Sequence, residues 1–313
     1  MPGGVITGWG AALPETVVTN KDLEARLDTN DAWIVERSGI RERRVGGTVS
    51  ELATEAGRRA IDRAGASPSD VDLVVLATST PDLAVPATSA KVHQTLGLSG
   101  SAFDVNAACA GFVYALVAAF GTLALSAAHR VLVVGADCLS RITDPDDRST
   151  AVLFADGAGA VVVEGTDADG SLLAVDLGTD GSAYDLLTCP HGGFMAMEGR
   201  EVFRRAVRVT VESASAALER AKLSAENVSL FVPHQANLRI IEAAATRLGI
   251  PMERTAIVLD RTGNTSAATV PLALADAADA GRLAPGDVVL MTGFGAGMTW
   301  ASLVLRWTAE RSG

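Results

Sequence analysis

Amphipathic helices alternate with short apolar runs along the chain, and one helix–turn–strand pattern occurs twice. Residues 55–73 read EAGRRAIDRAGASPSDVDL and residues 212–230 read ESASAALERAKLSAENVSL. They align without a gap and share several identical residues, of which Glu55/Glu212 is the first pair and Leu73/Leu230 the last. A helix followed by a continuous apolar strand is typical of a buried sheet covered by helices. The repeat therefore predicts an α/β protein with two duplicated halves, chance similarity being the alternative.

Further apolar runs predict the other strands of this sheet system. They are Arg130–Gly135, Gly159–Val163, Leu172–Leu177, Asp287–Thr292 and Met298–Leu305. The glycine-rich stretch Gly293–Gly297 is predicted to be a loop between the last two strands. A polar connection at residues 164–170 divides the chain into halves 1–165 and 166–313. We expect the halves to share one active site, because the candidate residues come from both.

Cys109 is the candidate nucleophile. It follows the run at residues 102–106 and precedes the uncharged helix Gly111–Leu125. A thiol at a helix N-terminus feels the positive end of the helix dipole, which stabilises its thiolate. A buried structural cysteine is the alternative, and this residue alone does not decide between them. Cys138 and Cys189 lack such a context and are expected to be structural.

His234 and Asn264 are the candidate polar partners of the thiol. His234 follows a predicted strand and precedes the helix Leu238–Leu248, and catalytic groups of α/β sheets tend to lie at the carboxyl ends of strands. Asn264 lies in a loop where turn formation or helix capping is the alternative role, with Thr265 and Ser266 as candidate caps of the next helix. Backbone N–H groups of the glycine-rich stretch are suited to an oxyanion.

Composition restricts the classes of function. The formal net charge of -11 opposes a nucleic-acid or anionic-membrane partner. Three widely spaced cysteines fit neither a disulfide framework nor a metal site, and a reducing cytoplasm is expected. The N-terminus has no signal-peptide pattern. Residues 110–128 carry no charge, but small residues predict a buried helix there rather than a membrane span.

At this point the sequence resembles a known family, the β-ketoacyl-acyl-carrier-protein (ACP) synthases III, which are condensing enzymes of the thiolase fold. The matching stretches follow in the family's order over nearly the whole chain: Thr29–Arg43, Asp104–Phe112, Asp144–Arg148, Phe154–Gly159, Val232–Ile241, Leu259–Ser266 and Phe294–Trp300. The resemblance implies a five-layered α-β-α-β-α fold of two similar halves, and a homodimer.

The resemblance also implies a role for each candidate residue. Cys109 takes an acyl group from acyl-CoA, and His234 and Asn264 bind the thioester carbonyl of malonyl-ACP as it decarboxylates. The N–H groups of Cys109 and Ala296 form the oxyanion hole. The product is a 3-oxoacyl-ACP that initiates fatty-acid or polyketide synthesis. No cofactor and no metal are expected, the ligands being the two substrates.

The family's binding surfaces map onto further residues by matched position. The coenzyme A tunnel corresponds to Trp33, Arg37, Arg148, Met197, Gly199, Phe203, Asn237 and Arg239. A tryptophan face suits adenine and arginines suit phosphates. A basic rim for the acidic carrier protein is expected at Arg204, Arg205, Arg239 and Arg247. Simple packing is the alternative for Trp33, and surface solvation is the alternative for the arginines.

The chain departs from the family pattern in three places. The segment between Leu187 and Met197 is shorter than in many members, which leaves the acyl donor open. Val85 stands where many relatives have an aromatic residue or threonine from the partner subunit, and a smaller side chain would leave room for branched or longer primers. Ala296 replaces a glycine but keeps its N–H group.

The sequence opposes three alternative hypotheses for the function. An acyltransferase that acylates an alcohol or amine would favour a carboxylate at position 264. A non-catalytic partner subunit is opposed by the intact Cys109, His234 and Asn264. A papain-like protease is opposed by the repeat and by the lack of secretion signals.

Overall fold

A computed structural model describes residues 3–167 and 170–309. The strands are β1 Gly3–Ala12, β2 Val17–Thr19, β3 Glu42–Arg44, β4 Leu73–Ala77, β5 Ser101–Val105, β6 Arg130–Cys138, β7 Asp156–Thr166, β8 Leu172–Thr179, β9 Leu187–Thr188, β10 Ala196–Met197, β11 Leu230–Pro233, β12 Val288–Gly295 and β13 Thr299–Arg306. The α-helices are α1 Asn20–Glu24, α2 Asp31–Ser38, α3 Val49–Arg63, α4 Thr88–Leu96, α5 Gly111–Ala124, α6 Arg148–Ala151, α7 Gly199–Arg220, α8 Leu238–Leu248, α9 Leu259–Thr262 and α10 Thr269–Asp279.

Two large sheets have equivalent strand orders. The first is β1-β7-β6-β4-β5 and the second is β8-β13-β12-β11. Beyond β11 a single parallel bridge joins Phe231 to Thr255, at the position that β5 occupies in the first sheet. The centre of each sheet is a parallel pair, β4 with β6 and β11 with β12. The duplicated topology predicted from the repeat is confirmed.

The apolar side chains divide the molecule into five layers. Helices α5 and α10 lie between the sheets, where Phe112 and Leu274 pack with Val133 of the first sheet and Met291 of the second. Helices α3 and α4 cover the other face of the first sheet. Helices α7 and α8 cover the other face of the second. Because each sheet is covered on both faces, β4 and β11 are apolar throughout. The α-β-α-β-α architecture is confirmed.

The sequence repeat corresponds to matching local structures. In each copy a long helix is followed by a 3₁₀ turn and a buried strand, α3 to β4 and α7 to β11. The turns use the same capping box, Ser67 with Asp70 and Ser224 with Asn227. Each serine and its partner satisfy the free N–H groups at the turn. Both strands therefore begin at equivalent residues, Leu73 and Leu230.

The other predictions about elements are mostly confirmed, with one error. The uncharged segment after Cys109 is the buried helix α5, and no helix within the described ranges has the length and apolar character to cross a bilayer. The predicted loop Gly293–Gly297 is wrong in its first half, because β12 continues to Gly295 and only Ala296–Met298 turns. The boundary near residue 165 lies at the end of β7 and stays a prediction. Residues 1–2, 168–169 and 310–313 of the proposed halves lie outside the described residues.

Candidate active site

One cavity brings together the three candidate residues from the two halves. Cys109, His234 and Asn264 all line it, and its empty space, including the part open to solvent, is about 720 Å³. Most of the remaining wall is apolar and comes from Leu153, Phe154, Ala183, Leu186, Leu187, Met197, Val202, Phe203, Ile240, Phe294 and Met298. The cavity therefore combines a thiol and two polar groups with a wall suited to an aliphatic chain.

Cys109 lies on a tight turn between β5 and α5. Ala108 has a φ of 47°, in the left-handed region that is uncommon for residues other than glycine. The turn packs directly on β12: a methyl group added at Gly295 would lie 2.6 Å from Cys109 N, and one at Gly293 would lie 2.8 Å from Ala110 Cα. The two glycines of the strand are thus required for the close approach of the nucleophile.

The thiol of Cys109 is protonated in the resting site. The residue is half-buried as a whole, but its sulfur is enclosed, and burial raises its pKa to about 12. A helix N-terminus contributes roughly 0.3–2 kcal/mol, whereas three pKa units correspond to about 4 kcal/mol. Cys109 lies before a helix, as expected. The expectation that this helix stabilises the thiolate needs correction, because burial changes the pKa more than the helix does.

His234 is a neutral imidazole held by a hydroxyl. It directly follows β11, is 2% exposed, and meets the ring of Phe294 edge-on at 5.1 Å between centroids. Burial lowers its pKa to about 3. Its Nδ1 lies 2.6 Å from Thr269 Oγ1. Nε2 is therefore the ring nitrogen that remains for a ligand.

The Thr269 hydroxyl sets which tautomer His234 adopts. Its single proton has two acceptors within reach, Nδ1 of His234 and the carbonyl oxygen of Ser266 at 2.8 Å. Donation to Nδ1 leaves the proton of the imidazole on Nε2, which is then a hydrogen-bond donor. Donation to Ser266 instead leaves Nε2 as an acceptor. A change of one hydroxyl rotamer thus converts the histidine from one role to the other.

Asn264 both forms a turn and lines the cavity. Its Oδ1 accepts a hydrogen bond from Ser266 N at 2.9 Å, so the donor Nδ2 remains for a ligand. The residue is 5% exposed, and its backbone bonds to Leu153 and Ala155 of the first half. The turn role expected as an alternative is confirmed, and the catalytic role of Asn264 stays a prediction. The predicted caps are wrong, since α10 begins after Ala268 without a side-chain cap.

The residues predicted to bind coenzyme A form two groups. Met197, Gly199, Phe203 and Asn237 line the cavity. Outside the lining of the cavity, the guanidinium carbons of Arg37 and Arg148 lie 5.6 and 4.9 Å from the centre of the Trp33 ring. The two groups are joined by a hydrogen bond of 2.8 Å from Asn237 Nδ2 to the carbonyl oxygen of Arg37.

The predicted carrier-protein arginines are not equivalent. Arg204 and Arg205 both bond to Glu201, and Arg205 also pairs with Asp180 at 2.7 Å. These contacts lower the pKa of Glu201 to about 2. By contrast, Arg239 and Arg247 are exposed on α8, where Arg239 stacks 5.5 Å from the Phe203 ring centre. The basic character of this rim therefore depends more on α8 than on α7.

The chain is similar to known proteins over nearly its whole length. Residues 103–181 match the family model of 3-oxoacyl-ACP synthase III, and residues 218–307 match the model of its C-terminal part. The β-ketoacyl-ACP synthase III of Sinorhizobium medicae is 47% identical over 97% of this chain and 99% of its own. This chain belongs to the β-ketoacyl-ACP synthase III family.

Solved structures of the family agree with this fold. The 3-oxoacyl-ACP synthase III of Aquifex aeolicus has a TM-score of 0.95 and 44% identity, with 97% of this chain and 100% of that chain covered. The priming β-ketosynthase of the R1128 polyketide pathway has a TM-score of 0.94 and 36% identity, covering 99% and 97%. A synthase III and a priming β-ketosynthase of a polyketide pathway are thus both similar to this chain.

The departures from the synthase III pattern lie near the cavity or on the surface. Leu187 and Met197, which line the cavity, belong to the short hairpin β9–β10, so the shortened segment is the tip of this hairpin. Val85 is 84% exposed. Within the described ranges no three His, Cys, Asp or Glu side chains are grouped as a metal site requires.

Some residues of the site were not singled out from sequence. Thr269 and Phe294 contact His234, and Ser266 lies beside Cys109. Ser266 and Thr269 fall in or next to a motif that was recognised, but their hydroxyl contacts depend on the tertiary fold. No sequence signal separates them from ordinary helix-start residues.

Proposed function

We propose that this condensing enzyme first moves an acyl group from acyl-CoA to Cys109 and then joins it to malonyl-ACP. The sulfur attacks the thioester carbon, and the N–H groups of Cys109 and Ala296 bind the resulting oxyanion. As the bond to the coenzyme A sulfur breaks, that sulfur takes up the proton that Cys109 lost. The product of this half-reaction is an acyl-enzyme thioester.

In the second half-reaction the malonyl group loses carbon dioxide. The electron pair of the broken carbon–carbon bond becomes the enolate of the thioester, and its oxygen accepts hydrogen bonds from His234 Nε2 and Asn264 Nδ2. Neutral donors stabilise this enolate without protonating its carbon. The carbon then attacks the acyl group, the bond from the acyl carbon to the Cys109 sulfur breaks, and the thiolate takes up a proton from water. The product is a 3-oxoacyl-ACP, the starting unit for fatty-acid or polyketide synthesis.

The observation that carries the proposal is the shared cavity, in which a thiol, a neutral imidazole and an oriented amide meet. It also weighs against acyl transfer to an alcohol or amine. A carboxylate at position 264 would favour deprotonation of the attacking group, whereas Asn264 stands there and no Asp or Glu is among the described residues that line the cavity. The condensing function is favoured for this reason.

The binding surfaces follow from the same geometry. The Trp33 ring and the two arginines that contact it are proposed to bind the adenine and phosphates of coenzyme A. Arg239 and Arg247 are proposed to contact the acidic carrier protein. Arg204 and Arg205 should contribute less to that contact, because they are paired with acidic residues of this chain. A reducing compartment, the cytoplasm, would keep Cys109 as the free thiol that the reaction needs.

A homodimer is proposed from the free edge of the first sheet. β5 is the last strand of that sheet, and Phe103 on it is exposed together with Leu83 and Val85 nearby. An unpaired edge beside apolar side chains is suited to a second copy of the chain. Sedimentation should give a dimer for the parent and a monomer for Phe103→Arg. A monomeric parent would contradict this proposal.

Intact-mass measurement tests the function and identifies the primer. The protein is incubated with a panel of acyl-CoAs, and the added acyl mass on Cys109 is read directly. Cys109→Ala should take up no acyl group, and an adduct that survives on this variant would exclude Cys109 as the nucleophile. Addition of malonyl-ACP should then release carbon dioxide and a 3-oxoacyl-ACP. Transfer to an added alcohol or amine instead would favour the acyltransferase.

A further inference from the structure

Arg43, at the centre of β3, is a buried cation. Its side chain is 1% exposed, and within the described ranges no carboxylate pairs with its guanidinium. Burial lowers the pKa of this group to about 10, so it stays charged at neutral pH. Taking a charge out of water is costly, so a contribution to stability does not by itself explain an arginine here. Its contacts point to another role.

The guanidinium of Arg43 is held at two places. Nε and Nη2 both donate to the carbonyl oxygen of Val152, Nε at 3.1 Å, and Nη1 donates to Asn20 Oδ1 at 2.6 Å. Asn20 is itself fixed, because its Nδ2 donates to Asp31 Oδ1 at 2.8 Å and to the carbonyl oxygen of Ile40 at 2.9 Å. A planar guanidinium between two fixed acceptors has a defined orientation. Arg43 therefore fixes the position of the Val152 carbonyl group.

Val152 begins the segment between α6 and β7, and this segment pairs with Asn264. The carbonyl oxygen of Leu153 accepts from Asn264 N at 2.9 Å, and Ala155 N donates to the carbonyl oxygen of Asn264 at 2.9 Å. These two bonds form a parallel bridge between Phe154 and Asn264. The backbone of Asn264, in the second half of the chain, is thus positioned by a segment of the first half.

The stem of Arg43 lies against the other side of this bridge. A methyl group added at Gly263 would lie 3.1 Å from Arg43 Cγ and 2.8 Å from Ala155 Cβ. Gly263 directly precedes Asn264 and has a φ of 69°, which favours glycine. The head of Arg43 therefore holds one backbone of the bridge at Val152, and its stem packs beside the other. Loss of this side chain should change how the two backbones are placed.

We propose that Arg43 is a positioning residue, which sets the place of the Asn264 amide through Val152 and the bridge. This rests on the proposed function in that Asn264 binds the enolate oxygen. Arg43 is not among the described residues that line the cavity, so it acts on the reaction through Asn264. A misplaced amide donates less well to an oxygen whose charge develops only in the transition state. Decarboxylation should therefore slow without weaker binding of malonyl-ACP.

The test is a double-mutant cycle between Arg43→Met and Asn264→Ala. Methionine keeps an unbranched apolar stem but has no donor for Val152. In the parent background, Arg43→Met should lower the kcat for decarboxylation of malonyl-ACP by acylated enzyme about tenfold, the effect of one lost hydrogen bond from a charged group. The KM should stay within about twofold. In the Asn264→Ala background the same change should cost less than about twofold, because the amide that Arg43 positions is gone.

The matched control is Arg254→Met. Arg254 is half-buried and also donates to a backbone carbonyl oxygen, that of Val228 at 3.0 Å. This contact lies before the start of β11, at the opposite end of the strand from His234. Arg254→Met should therefore decarboxylate malonyl-ACP within about twofold of the protein that carries it, in both backgrounds.

Arg43→Lys is the conservative variant. Lysine keeps the charge and can donate to Val152, but it lacks the planar fork of the guanidinium. It should recover most of the loss, leaving decarboxylation about threefold below the parent, and this deficit should disappear in the Asn264→Ala background. If Arg43→Met yields no folded protein, the cycle with Arg43→Lys decides. Acylation of Cys109 at saturating acyl-CoA should stay within about threefold of the parent in either variant, because its turn packs on β12.

Equal losses from the Arg43 substitution in the two backgrounds would overturn the role of Arg43, because its effect would not then pass through Asn264. Parent-like decarboxylation in the Arg43 variants, or an equal loss of Cys109 acylation, would overturn it too. Each of these outcomes leaves the proposed function intact. A parent protein that acylates Cys109 but does not decarboxylate malonyl-ACP would overturn the proposed function, and this inference with it.

Discussion

The turn that carries Cys109, residues 106–111, and the turn that carries Asn264, residues 264–269, follow the same backbone course. Each begins with an asparagine whose Oδ1 accepts from the N–H two residues on, Ala108 N at 3.1 Å and Ser266 N at 2.9 Å. The φ values of those residues are 47° and 51°. Each turn then passes through a 3₁₀ turn into a central helix.

Each turn packs on the central strand of the other half, and here they differ. Gly135 of β6 meets Ala267, as Gly293 of β12 meets Cys109 and Ala110. Two residues further along the strands stand Asp137 and Gly295. The carboxylate of Asp137 binds the N–H of Ala267, whereas Gly295 has no side chain to bind the N–H of Cys109. This difference supports the oxyanion role proposed for the Cys109 amide: a protein oxygen occupies the equivalent place in the other half.

The last residues of the two turns also differ, because the first makes an apolar contact and the second a hydrogen bond. In the first half, Gly111 lies close to the methyl group of Ala77. In the second half, the equivalent pair is Thr269 and His234, joined by a hydrogen bond. One turn thus supplies the nucleophile and its amide, and the other supplies Asn264 and the hydroxyl that contacts His234. The duplicated scaffold explains why they meet, and the substitutions explain why they act on different steps.

The largest effect is expected from closing the space beside the Cys109 amide. In Gly295→Ala the new methyl group would lie 2.6 Å from Cys109 N and displace the turn. Acylation by acyl-CoA should fall about 100-fold or more, as when an oxyanion donor is lost. The rate of acyl-enzyme formation by intact mass measures it. Gly181→Ala, which meets open space, is the control, and parent-like acylation of Gly295→Ala would refute the required close approach.

The two asparagines should separate the shared turn from the chemistry. Asn264→Ala should lower decarboxylation of malonyl thioester about 100-fold and still self-acylate, because it removes a donor to the enolate. Asn106→Ala loses the equivalent turn hydrogen bond, but Asn106 is exposed, so decarboxylation should fall less than about tenfold. Carbon dioxide release from acylated enzyme is measured for both. Equal losses would mean that Asn264 acts only through its turn.

A smaller effect is expected from the hydroxyl that holds the imidazole. Thr269→Val keeps the shape of the side chain but leaves Nδ1 of His234 without this partner. Decarboxylation should fall about tenfold and acylation should change little, the expected size for one hydrogen bond. Thr269→Ser should restore the parent rate. If Thr269→Ser is as slow as Thr269→Val, the methyl contact rather than the hydroxyl positions the ring.

The smallest effect at neutral pH concerns stability. The folded-state pKa of His234, about 3, lies below its ordinary value of 6.5, so protonation favours the unfolded chain. The stability that depends on the neutral imidazole is fully present above about pH 6.5. It is lost as pH falls toward 3, up to roughly 5 kcal/mol. Urea unfolding should show a weaker pH dependence for His234→Gln than for the parent over this window. An equal pH dependence of the free energy of unfolding in the two proteins would mean that the buried imidazole does not determine it.

Much of this arrangement could be predicted from sequence, and the exceptions have physical reasons. The repeat and the apolar runs predicted the duplicated sheets, and the motif order brought Cys109, His234 and Asn264 together. The equivalence of the two turns could not be seen in the sequence. Asn106 and Asn264 share a backbone role, but almost no other residues of the two turns are identical. The raised pKa of Cys109 depends on enclosure by the far half of the chain. The neutralisation of Arg205 depends on Asp180, which only the tertiary fold brings near.

The central layer has a consequence for how the molecule can fold. Helices α5 and α10 come from different halves, and each is buried by both sheets. Either half alone would expose an apolar sheet face and the side of its own helix, so the free energy that orders one half depends on the other. The two halves should therefore have no separate stability, and the chain should unfold in a single cooperative transition.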